Sequence, residues 1–324
     1  MNNSLTELAE IISRFSPGEG LHESPVPGVY CIKISQTDRR TKRYWRACLG
    51  IIAQGGKEIV LGPEVYRADD GHYTATPVDL PVISRISSAS PRKPFLGLLI
   101  VFDPLMVSGI AAQIEKDFPM GLETPLRAWF TGKASEQMLD AAIRLGRLFH
   151  NAGDAPVLGP LVIKEMFYHL LKGPDGPAIR QFVRSGSKVY KISHAIFRLK
   201  SELSEELDVT ALAKTASMSR SAFFNHFKEV TAMSPIQYQK RLRLLEARRL
   251  LTEEGETAEG SAFKVGYKSP SQFSREYSRM FGNSPLRDAQ KIKTTDEGGR
   301  AFSNGARSMR DGLLAELPAG ASAN

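Results

Sequence analysis

Two stretches decide the fold of this chain: residues 211–251, ALAKTASMSRSAFFNHFKEVTAMSPIQYQKRLRLLEARRLL, and residues 265–285, VGYKSPSQFSREYSRMFGNSP. Each contains a tight turn followed by a helix that starts at a serine and carries aromatic residues four positions apart. A serine at a helix N-cap accepts a free backbone N–H, and an apolar stripe of helical period must pack against a neighbour. The two stretches therefore predict two helix-turn-helix units.

The first unit is predicted to begin with a short helix over residues 210–216 and to turn at Ser217 and Met218. Ser219 is then the N-cap of a second helix, whose packing stripe holds Phe223, Phe227 and Val230. This second helix is the candidate recognition helix, because its opposite face is polar or basic.

The second unit is predicted to begin with a helix over residues 258–265 and to turn at Gly266, which tolerates a positive φ. Ser269 is its N-cap, and Pro270 suits the first helical position because no N–H is needed there. The packing stripe of its second helix consists of Phe273, Tyr277 and Phe281.

Each unit ends in Ser-Pro, and an amphipathic helix over residues 236–251 is predicted to connect them. The predicted buried face of this connecting helix consists of Tyr238, Leu242, Leu245 and Leu250. An α-helix fits the DNA major groove, and successive grooves on one side of the duplex lie about 34 Å apart. Two recognition helices held by a rigid connector would therefore read two adjacent grooves. The alternative is a small helical core with aromatic stripes and no DNA role.

The positive charge of the chain is concentrated in the same segment. The 324 residues carry 43 Lys+Arg against 35 Asp+Glu, a formal charge of +8. Residues 181–295 hold 20 basic and 12 acidic residues, a net of +8, whereas residues 1–180 have a net of +1 and residues 296–324 of −1. Clustered Lys and Arg are what phosphate neutralisation requires. A solvated basic face is the other interpretation of charge alone.

The N-terminal half reads as short β-strands followed by helices. Turn signals separate predicted strands at residues 29–34, 47–53, 58–61, 82–86 and 95–102, a spacing typical of an antiparallel barrel or sandwich. Apolar spacings of three and four predict helices over residues 105–118, 124–131, 135–149 and 160–172.

These patterns predict an N-terminal extension over residues 1–20 and a β-rich domain over 21–175. A linker follows at 176–187, because the Gly/Pro cluster at 173–177 ends the last helix. The helical domain then covers 188–293, and a Gly/Ala/Ser-rich tail, expected to be flexible, covers 294–324.

The chain starts without a basic region followed by an apolar stretch, and its longest apolar run is too short to span a bilayer. Two cysteines, Cys31 and Cys48, do not make a disulfide framework. We therefore expect a cytoplasmic protein. Buried inert thiols are the favoured interpretation of both cysteines, with redox or electrophile sensing as the alternative.

The stretches quoted above resemble the C-terminal double helix-turn-helix of AraC/XylS-type transcription regulators, over roughly residues 190–288. The positions in register include Phe227, Lys228, Ser234, Pro235, Tyr238, Arg243, Ala247, Arg248, Leu250, Leu251, Gly266, Tyr267, Phe273, Arg275 and Gly282. Upstream, IAQGGK at 52–57, VDLP at 78–81, ASP at 89–91 and PFL at 94–96 resemble the sensory class called the AraC-type regulator N-terminus, over about residues 20–175.

The resemblance implies an α+β protein with a cupin-like N-terminal β-barrel and an all-α double helix-turn-helix domain. It implies a sequence-specific bacterial transcription regulator whose sensory domain binds a small effector or a partner and helps to form a homodimer. Double-stranded DNA and RNA polymerase are the further partners that it implies.

The family register also assigns DNA contacts to individual residues. The base-facing positions are Ser221, Phe224 and Asn225 in the first unit, and Ser271, Gln272 and Arg275 in the second. Arg275 can pair with guanine, and Gln272 or Asn225 with adenine, whereas Phe224 contacts a thymine methyl or belongs to the core. The expected phosphate contacts are Ser219, Arg220, Lys228, Lys240, Lys268, Ser269 and Arg279.

The sequence departs from the family pattern in both units. Ser217 stands where the first turn usually has glycine. Ala258 and Ser261, with Gly260 between them, stand where the first helix of the second unit usually has isoleucines. We therefore expect the second unit to be weaker, since glycine disfavours a helix by up to about 1 kcal/mol relative to alanine. A regulator whose second unit serves mainly as a protein interface is a third interpretation.

A cupin enzyme would need a metal site, but His22, His72, His150 and His169 are scattered, with no HxH and no spaced carboxylates. Hydrolase, P-loop and dinucleotide motifs are also missing from the sequence. We therefore expect no metal, no cofactor and no enzymatic activity. An enzyme or ligand carrier with an appended DNA-binding module is the alternative.

The apolar faces of the helices at 135–149 and 160–172 leave two options open. They form a dimer seam, or they pack against the β-rich domain. The residues concerned are Leu139, Ile143, Leu148, Ile163, Phe167 and Leu170.

Overall fold

The computed structural model describes residues 3–114 and 127–295. Its strands are β1 (Gly20–Glu23), β2 (Val29–Ile34), β3 (Thr41–Trp45), β4 (Cys48–Gln54), β5 (Gly56–Leu61), β6 (Glu64–Ala68), β7 (His72–Thr76), β8 (Leu80–Ser88), β9 (Phe95–Val101) and β10 (Phe130–Lys133). Its helices are α1 (Asn3–Phe15), α2 (Pro104–Ile114), α3 (Glu136–Arg147), α4 (Ala155–Lys172), α5 (Gly176–Arg180), α6 (Lys188–Ser201), α7 (Val209–Thr215), α8 (Arg220–Thr231), α9 (Pro235–Glu253), α10 (Ala258–Lys264), α11 (Pro270–Phe281) and α12 (Pro285–Thr295).

The strands form two antiparallel sheets, which confirms a β-rich N-terminal domain followed by a helical domain. The six-stranded sheet has the order β1-β2-β9-β4-β7-β10, and the four-stranded sheet has the order β3-β8-β5-β6. All recorded pairs are antiparallel, for instance Cys31 opposite Leu98 and Lys57 opposite Ile86. In the described residues no strand pairing joins the two sheets, so the predicted barrel is present as two separate sheets rather than as one closed barrel.

The five predicted strands are confirmed with bounds within two residues, whereas β1, β3, β6, β7 and β10 were not predicted. The helix predicted over residues 124–131 is wrong where the structure describes it. Phe130 begins β10 and pairs with Ala75 of β7. The apolar run there fits a short strand as well as a helix. Trp129 and Phe130 are both fully buried, Trp129 against the rings of Trp45 and Tyr66 and Phe130 against the ring of Phe182.

The helices of the N-terminal domain cover the six-stranded sheet. The sequence predicts only an N-terminal extension over residues 1–20, whereas the structure has α1 there, with Leu8 and Ile12 fully buried. α4 starts at Ala155 rather than at residue 160, so Pro160 lies inside the helix. Proline lacks an N–H and commonly breaks a helix, which is why the sequence suggested a later start. Helix α2 confirms the first part of the prediction over 105–118, and residues 115–118 lie outside the described part.

The apolar faces of α3 and α4 are internal. Leu139, Ile143, Ile163, Phe167 and Leu170 are each at most 8% exposed, and Leu148 packs against the same core. Packing inside the chain is therefore confirmed for these side chains, and they do not form a dimer seam.

The connecting helix α9 has a broader buried surface than the predicted stripe. Leu244 is 2% exposed, whereas Leu245, predicted as a core residue, is only half-buried. The reason is that α8, α10 and α12 all pack on α9, so more than one face of it is covered. In the two described parts of the chain, no helix is both long and apolar enough to cross a membrane. The predicted flexible tail lies, apart from its first two residues, outside the described residues.

Candidate DNA-binding interface

The turn of the first helix-turn-helix unit requires a left-handed residue. Asp208 caps α7 by accepting the N–H groups of Thr210 and Ala211 at 2.8 and 2.9 Å. Ser217 then has φ of +51°, in the region where glycine is most easily accommodated, and Ser219 caps α8 by accepting the Ala222 N–H at 3.2 Å. The unit therefore forms with serine at the turn position, at some cost in backbone strain.

The two faces of α8 separate as the sequence predicted. Phe223, Phe227 and Val230 are at most 1% exposed, and the Phe227 ring meets the Tyr238 ring of α9 edge-on at 5.4 Å. The opposite face of α8 presents Ser221, Phe224, Asn225 and Lys228. Phe224 is 38% exposed, so it lies outside the core and is available to a partner.

Gly266 makes the turn of the second unit possible. Its φ is +88°, and a Cβ there would lie 2.1 Å from the carbonyl oxygen of Ser204. Arg243 holds the same region, because its guanidinium donates to the carbonyls of Leu203, Glu205 and Gly266 at 2.6 to 3.1 Å. The second turn is thus tied by one side chain of α9 to the segment that precedes the first unit.

The second recognition helix, α11, has the predicted cap and stripe. Ser269 accepts the Gln272 N–H at 3.3 Å, and Pro270 occupies the first turn. Phe273 and Tyr277 are fully buried, whereas Phe281 is half-buried at the end of the helix. The exposed face of α11 presents Ser271, Gln272, Arg275 and Arg279.

The basic residues predicted to contact phosphate fall into two groups. Arg220, Lys228 and Arg279 are exposed and have no ion pair within the described residues. Lys240 instead binds Glu276 at 2.7 Å, and Lys268 binds Glu206 at 3.0 Å. The Lys268 pair is almost fully exposed and therefore weak. Lys268 can therefore exchange Glu206 for a phosphate more easily than Lys240 can exchange Glu276.

Sequence reasoning missed the contact surface between the two domains, which is centred on Asp79. Its carboxylate accepts hydrogen bonds from Tyr44, from the Ala47 N–H at 2.8 Å and from Lys200 Nζ at 2.5 Å. Its backbone carbonyl accepts the Tyr238 hydroxyl at 2.6 Å. Burial alone would raise the pKa of the Asp79 carboxyl, but the Lys200 ammonium and these hydrogen bonds hold it below its usual value.

Two further contacts reach the C-terminal ends of the recognition helices. The Ala128 N–H donates to the Val230 carbonyl of α8 at 3.1 Å, and Lys42 of β3 donates to the Met280 carbonyl of α11. No pattern in either segment alone signals these contacts, because each partner lies more than 100 residues away along the chain.

The predicted weakness of the second unit has a structural counterpart at Ser261. This side chain is fully buried in α10, and its hydroxyl has no hydrogen-bond partner. We expect Ser261→Ala to raise the free energy of unfolding by about 1–2 kcal/mol, because it removes an unpaired buried polar group. Chemical unfolding followed by far-UV circular dichroism measures this, with Ser271→Ala on the exposed face of α11 as the control that stays within about 0.5 kcal/mol. A loss of stability in Ser261→Ala would contradict the assignment.

Cys31 and Cys48 are at most 2% exposed, and burial raises the pKa of each thiol to about 12. The reactive thiolate is therefore disfavoured at both positions. Throughout residues 3–114 and 127–295, no group of three or more His, Cys, Asp and Glu side chains could hold a metal ion.

Both halves of the chain are similar to known proteins. The family model of the AraC-type transcriptional regulator N-terminus matches residues 25–178, and a helix-turn-helix domain model matches residues 212–290. The HTH-type transcriptional activator RhaS of Pectobacterium carotovorum is 31% identical over 101 residues, which are 31% of this chain and 36% of RhaS. The HTH-type transcriptional regulator ExsA of Pseudomonas aeruginosa is 27% identical over 135 residues, 42% of this chain and 48% of ExsA.

The chain thus spans about a third of the length of RhaS and about half that of ExsA. Among solved structures, ToxT of Vibrio cholerae aligns with 82% of this chain and 97% of its own, at a TM-score of 0.56 and 12% identity, which establishes likeness of fold alone. With both family models matched in the expected order and the helix-turn-helix segment shared with RhaS and ExsA, the chain belongs to the AraC-type family of transcriptional regulators.

Proposed function

We propose that this protein regulates transcription by binding two adjacent major grooves of promoter DNA through α8 and α11, under the control of its N-terminal domain. The observation that carries the proposal is the pair of capped helices with outward polar faces, joined by one rigid helix in the basic part of the chain. Bases are contacted by Ser221, Phe224, Asn225, Ser271, Gln272 and Arg275, and phosphates by Ser219, Arg220, Lys228, Lys240, Lys268, Ser269 and Arg279.

The remaining parts of the proposal follow from the family and its relatives. The N-terminal domain, which we regard as cupin-like and place at residues 21–175, binds a small effector, because one ToxT structure is described as bound to an unsaturated fatty acid. RNA polymerase is a partner, as expected for relatives described as transcriptional activators. A homodimer and a cytoplasmic location in a bacterium complete the proposal.

The domain contacts suggest how an effector would act on DNA binding. The N-terminal domain holds the C-terminal end of α8 through Ala128 and that of α11 through Lys42. A change at either contact alters the relative position of the two recognition helices, and two-groove binding depends on that position. Sensing and DNA binding are therefore linked through this surface.

Two alanine variants test the assignment of base and phosphate contacts. We expect Arg275→Ala to lose about 1–3 kcal/mol of discrimination at one base position, because a guanidinium recognises guanine in a bidentate manner. We expect Lys228→Ala to weaken all sequences alike and to lower the slope of log affinity against log salt by about 1. Binding titrations against single-base operator variants, at several salt concentrations, measure both effects.

The operator for this test comes from genomic capture followed by footprinting with the full chain. Protection of two successive grooves supports the proposal, whereas protection of a single groove would assign the second unit another role. If both variants change affinity and specificity in the same way, the division into base and phosphate contacts is wrong. Lys93→Met, on the N-terminal domain, is the charge-matched control for the loss of one lysine.

A further inference from the structure

Among the side chains packed between the two sheets, the described residues include a buried lysine without a hydrogen-bond acceptor. Lys57 lies on the inner face of β5 together with Ile59 and Leu61, and it is 6% exposed. Its Nζ has no hydrogen bond or ion pair within the described residues, and it lies 3.2 Å from the centre of the Trp45 ring. The neighbouring acid, Glu58, is on the other face of β5, where arginines bind it. A buried ammonium without a counter-charge is costly, so the position calls for an explanation.

Two more donors without acceptors lie in the same cluster. The indole N–H groups of Trp45 and Trp129 are both buried and have no hydrogen-bond partner of normal geometry, although Trp45 lies close to the Cys48 thiol, a weak acceptor. The two indole rings contact each other edge to face at 6.0 Å, and the Tyr66 ring lies 6.4 Å from Trp129. Lys57, Trp45 and Trp129 thus form a cluster of buried donors next to aromatic rings.

The donors in the cluster determine which chemical groups a ligand would need. One ammonium balances one negative charge, and the two indole N–H groups require oxygen acceptors rather than donors. A carboxylate supplies one charge and two acceptor oxygens, whereas a phosphate dianion would need more charge than Lys57 provides. The aromatic side chains that surround the donors favour a flat apolar body on the same molecule.

We propose that the cluster of Lys57, Trp45 and Trp129 is a ligand site for a small organic carboxylate with a flat or ring-shaped apolar body. The carboxylate oxygens accept hydrogen bonds from Lys57 Nζ and the indole N–H groups, and the ring packs against Trp45, Trp129 and Tyr66. Describing this ligand as the effector rests on the proposed function, but the binding itself does not.

The site lies close to the contact between the domains, because Trp45 is near residues that bind Asp79. Trp45 is the last residue of β3, and the adjacent Tyr44 and nearby Ala47 both bind the Asp79 carboxylate. The Asp79 carbonyl in turn holds Tyr238 of the connecting helix α9. A ligand that moves Trp45 therefore acts within two residues of the surface that orients the helix-turn-helix units.

The two tryptophans of the chain are both part of the site, so intrinsic fluorescence reports on it directly. At pH 6, where Lys57 is protonated in the folded chain, the full-length protein is titrated with phenylacetate and with cyclohexanecarboxylate, and with the corresponding amides as uncharged counterparts. We expect a saturable fluorescence change with at least one acid, and an affinity at least about tenfold weaker for its amide, because the amide lacks the charge that pairs with Lys57. Lys57→Met is expected to bind the acid with an affinity lower by a similar factor, whereas Lys93→Met keeps the wild-type affinity.

Three results would overturn the site: no saturable change with either acid, equal affinity for acid and amide, or full binding in Lys57→Met. The comparison of acid with amide uses the unmodified protein, so it stands even if a variant fails to fold. Footprinting of the same preparation without ligand separates the two proposals. A protein that footprints but binds no acid loses only the ligand site, whereas one that binds acid but does not footprint loses only the DNA-binding function.

Discussion

Replacing Lys57 by methionine is expected to stabilise the N-terminal domain by up to about 5 kcal/mol at pH 6, and by almost nothing above pH 10.5. Burial lowers the pKa of Lys57 from 10.5 to about 7, which is the largest change in a lysine within the described residues. Methionine has a similar length and no charge, so it fills the same space between the sheets without the desolvation cost.

The direction of the pH dependence follows from proton uptake on unfolding. Between pH 7 and 10.5 the unfolded chain binds a proton at Lys57 that the folded chain has released, so the stability of the wild type rises with pH in this window. Below pH 7 both states are protonated, and the full cost of the buried charge is present. The methionine variant lacks this dependence, so its advantage decreases steadily as the pH rises from 7 to 10.5.

Urea unfolding at pH 6, 8 and 10, followed by tryptophan fluorescence, measures the effect in the domain that contains Lys57. Lys93→Met is the matched control, because Lys93 is exposed and its pairing with Asp70 at 3.4 Å is weak. We expect the control to stay within about 0.5 kcal/mol at every pH. A Lys57→Met advantage that is constant from pH 6 to pH 10 would mean that Lys57 is not held uncharged by burial.

Local chemistry explains why the helix-turn-helix units were predictable from sequence. The caps at Ser219 and Ser269, the glycine turn at Gly266 and the four-residue spacing of Phe223 and Phe227 act within one or two helical turns. Interactions of such short range depend on residues that are close together in the sequence. The structure confirms these features at the predicted positions.

The N-terminal domain was less predictable because its strands are defined by partners distant in sequence. The strand β3, TKRYW, has three polar or charged residues among five and gives no clear alternation, yet it pairs along its whole length with β8. The strand β10 pairs with β7, nearly 60 residues earlier, and its sequence suggested a helix. In both cases tertiary pairing outweighs local propensity.

The functional residues divide in the same way. Positions on an exposed helix face, such as Asn225 and Arg275, can be inferred from helical period, whereas Lys57 and Asp79 give no signal in sequence. A lysine in a strand is ordinarily an exposed residue, and only the register of β5 turns Lys57 inward. Asp79 lies in a short connection, where an aspartate usually indicates a turn.

Asp79→Ala is expected to destabilise the contact between the domains by about 2–4 kcal/mol, because it leaves Lys200, Tyr44 and the Ala47 N–H without their shared acceptor. The pKa of the Asp79 carboxyl is held below its usual value, so its contribution is present above about pH 4 and is lost as the pH falls further. The effect of the substitution should therefore be measured near neutral pH.

Two further variants separate the parts of this contact. Tyr238→Phe removes only the hydroxyl that binds the Asp79 carbonyl and keeps the ring against Phe227, so we expect a loss of about 1 kcal/mol. Asp140→Ala is the control for loss of an aspartate, since Asp140 is exposed and, among the residues that the structure describes, pairs only with Arg144 of its own helix. Its stability should stay within about 0.5 kcal/mol of the wild type.

Loss of the domain contact is distinguished from a purely local defect by whether the two domains unfold at the same urea concentration. Tryptophan fluorescence follows the N-terminal domain, which holds both tryptophans, whereas far-UV circular dichroism is dominated by the helices, most of which lie in the C-terminal half. If Asp79 joins the domains, the two signals give one midpoint of urea unfolding in the wild type and two separate midpoints in Asp79→Ala. Coincident midpoints in the variant, or a loss no larger than that of Asp140→Ala, would show that Asp79 does not hold the helix-turn-helix domain in place.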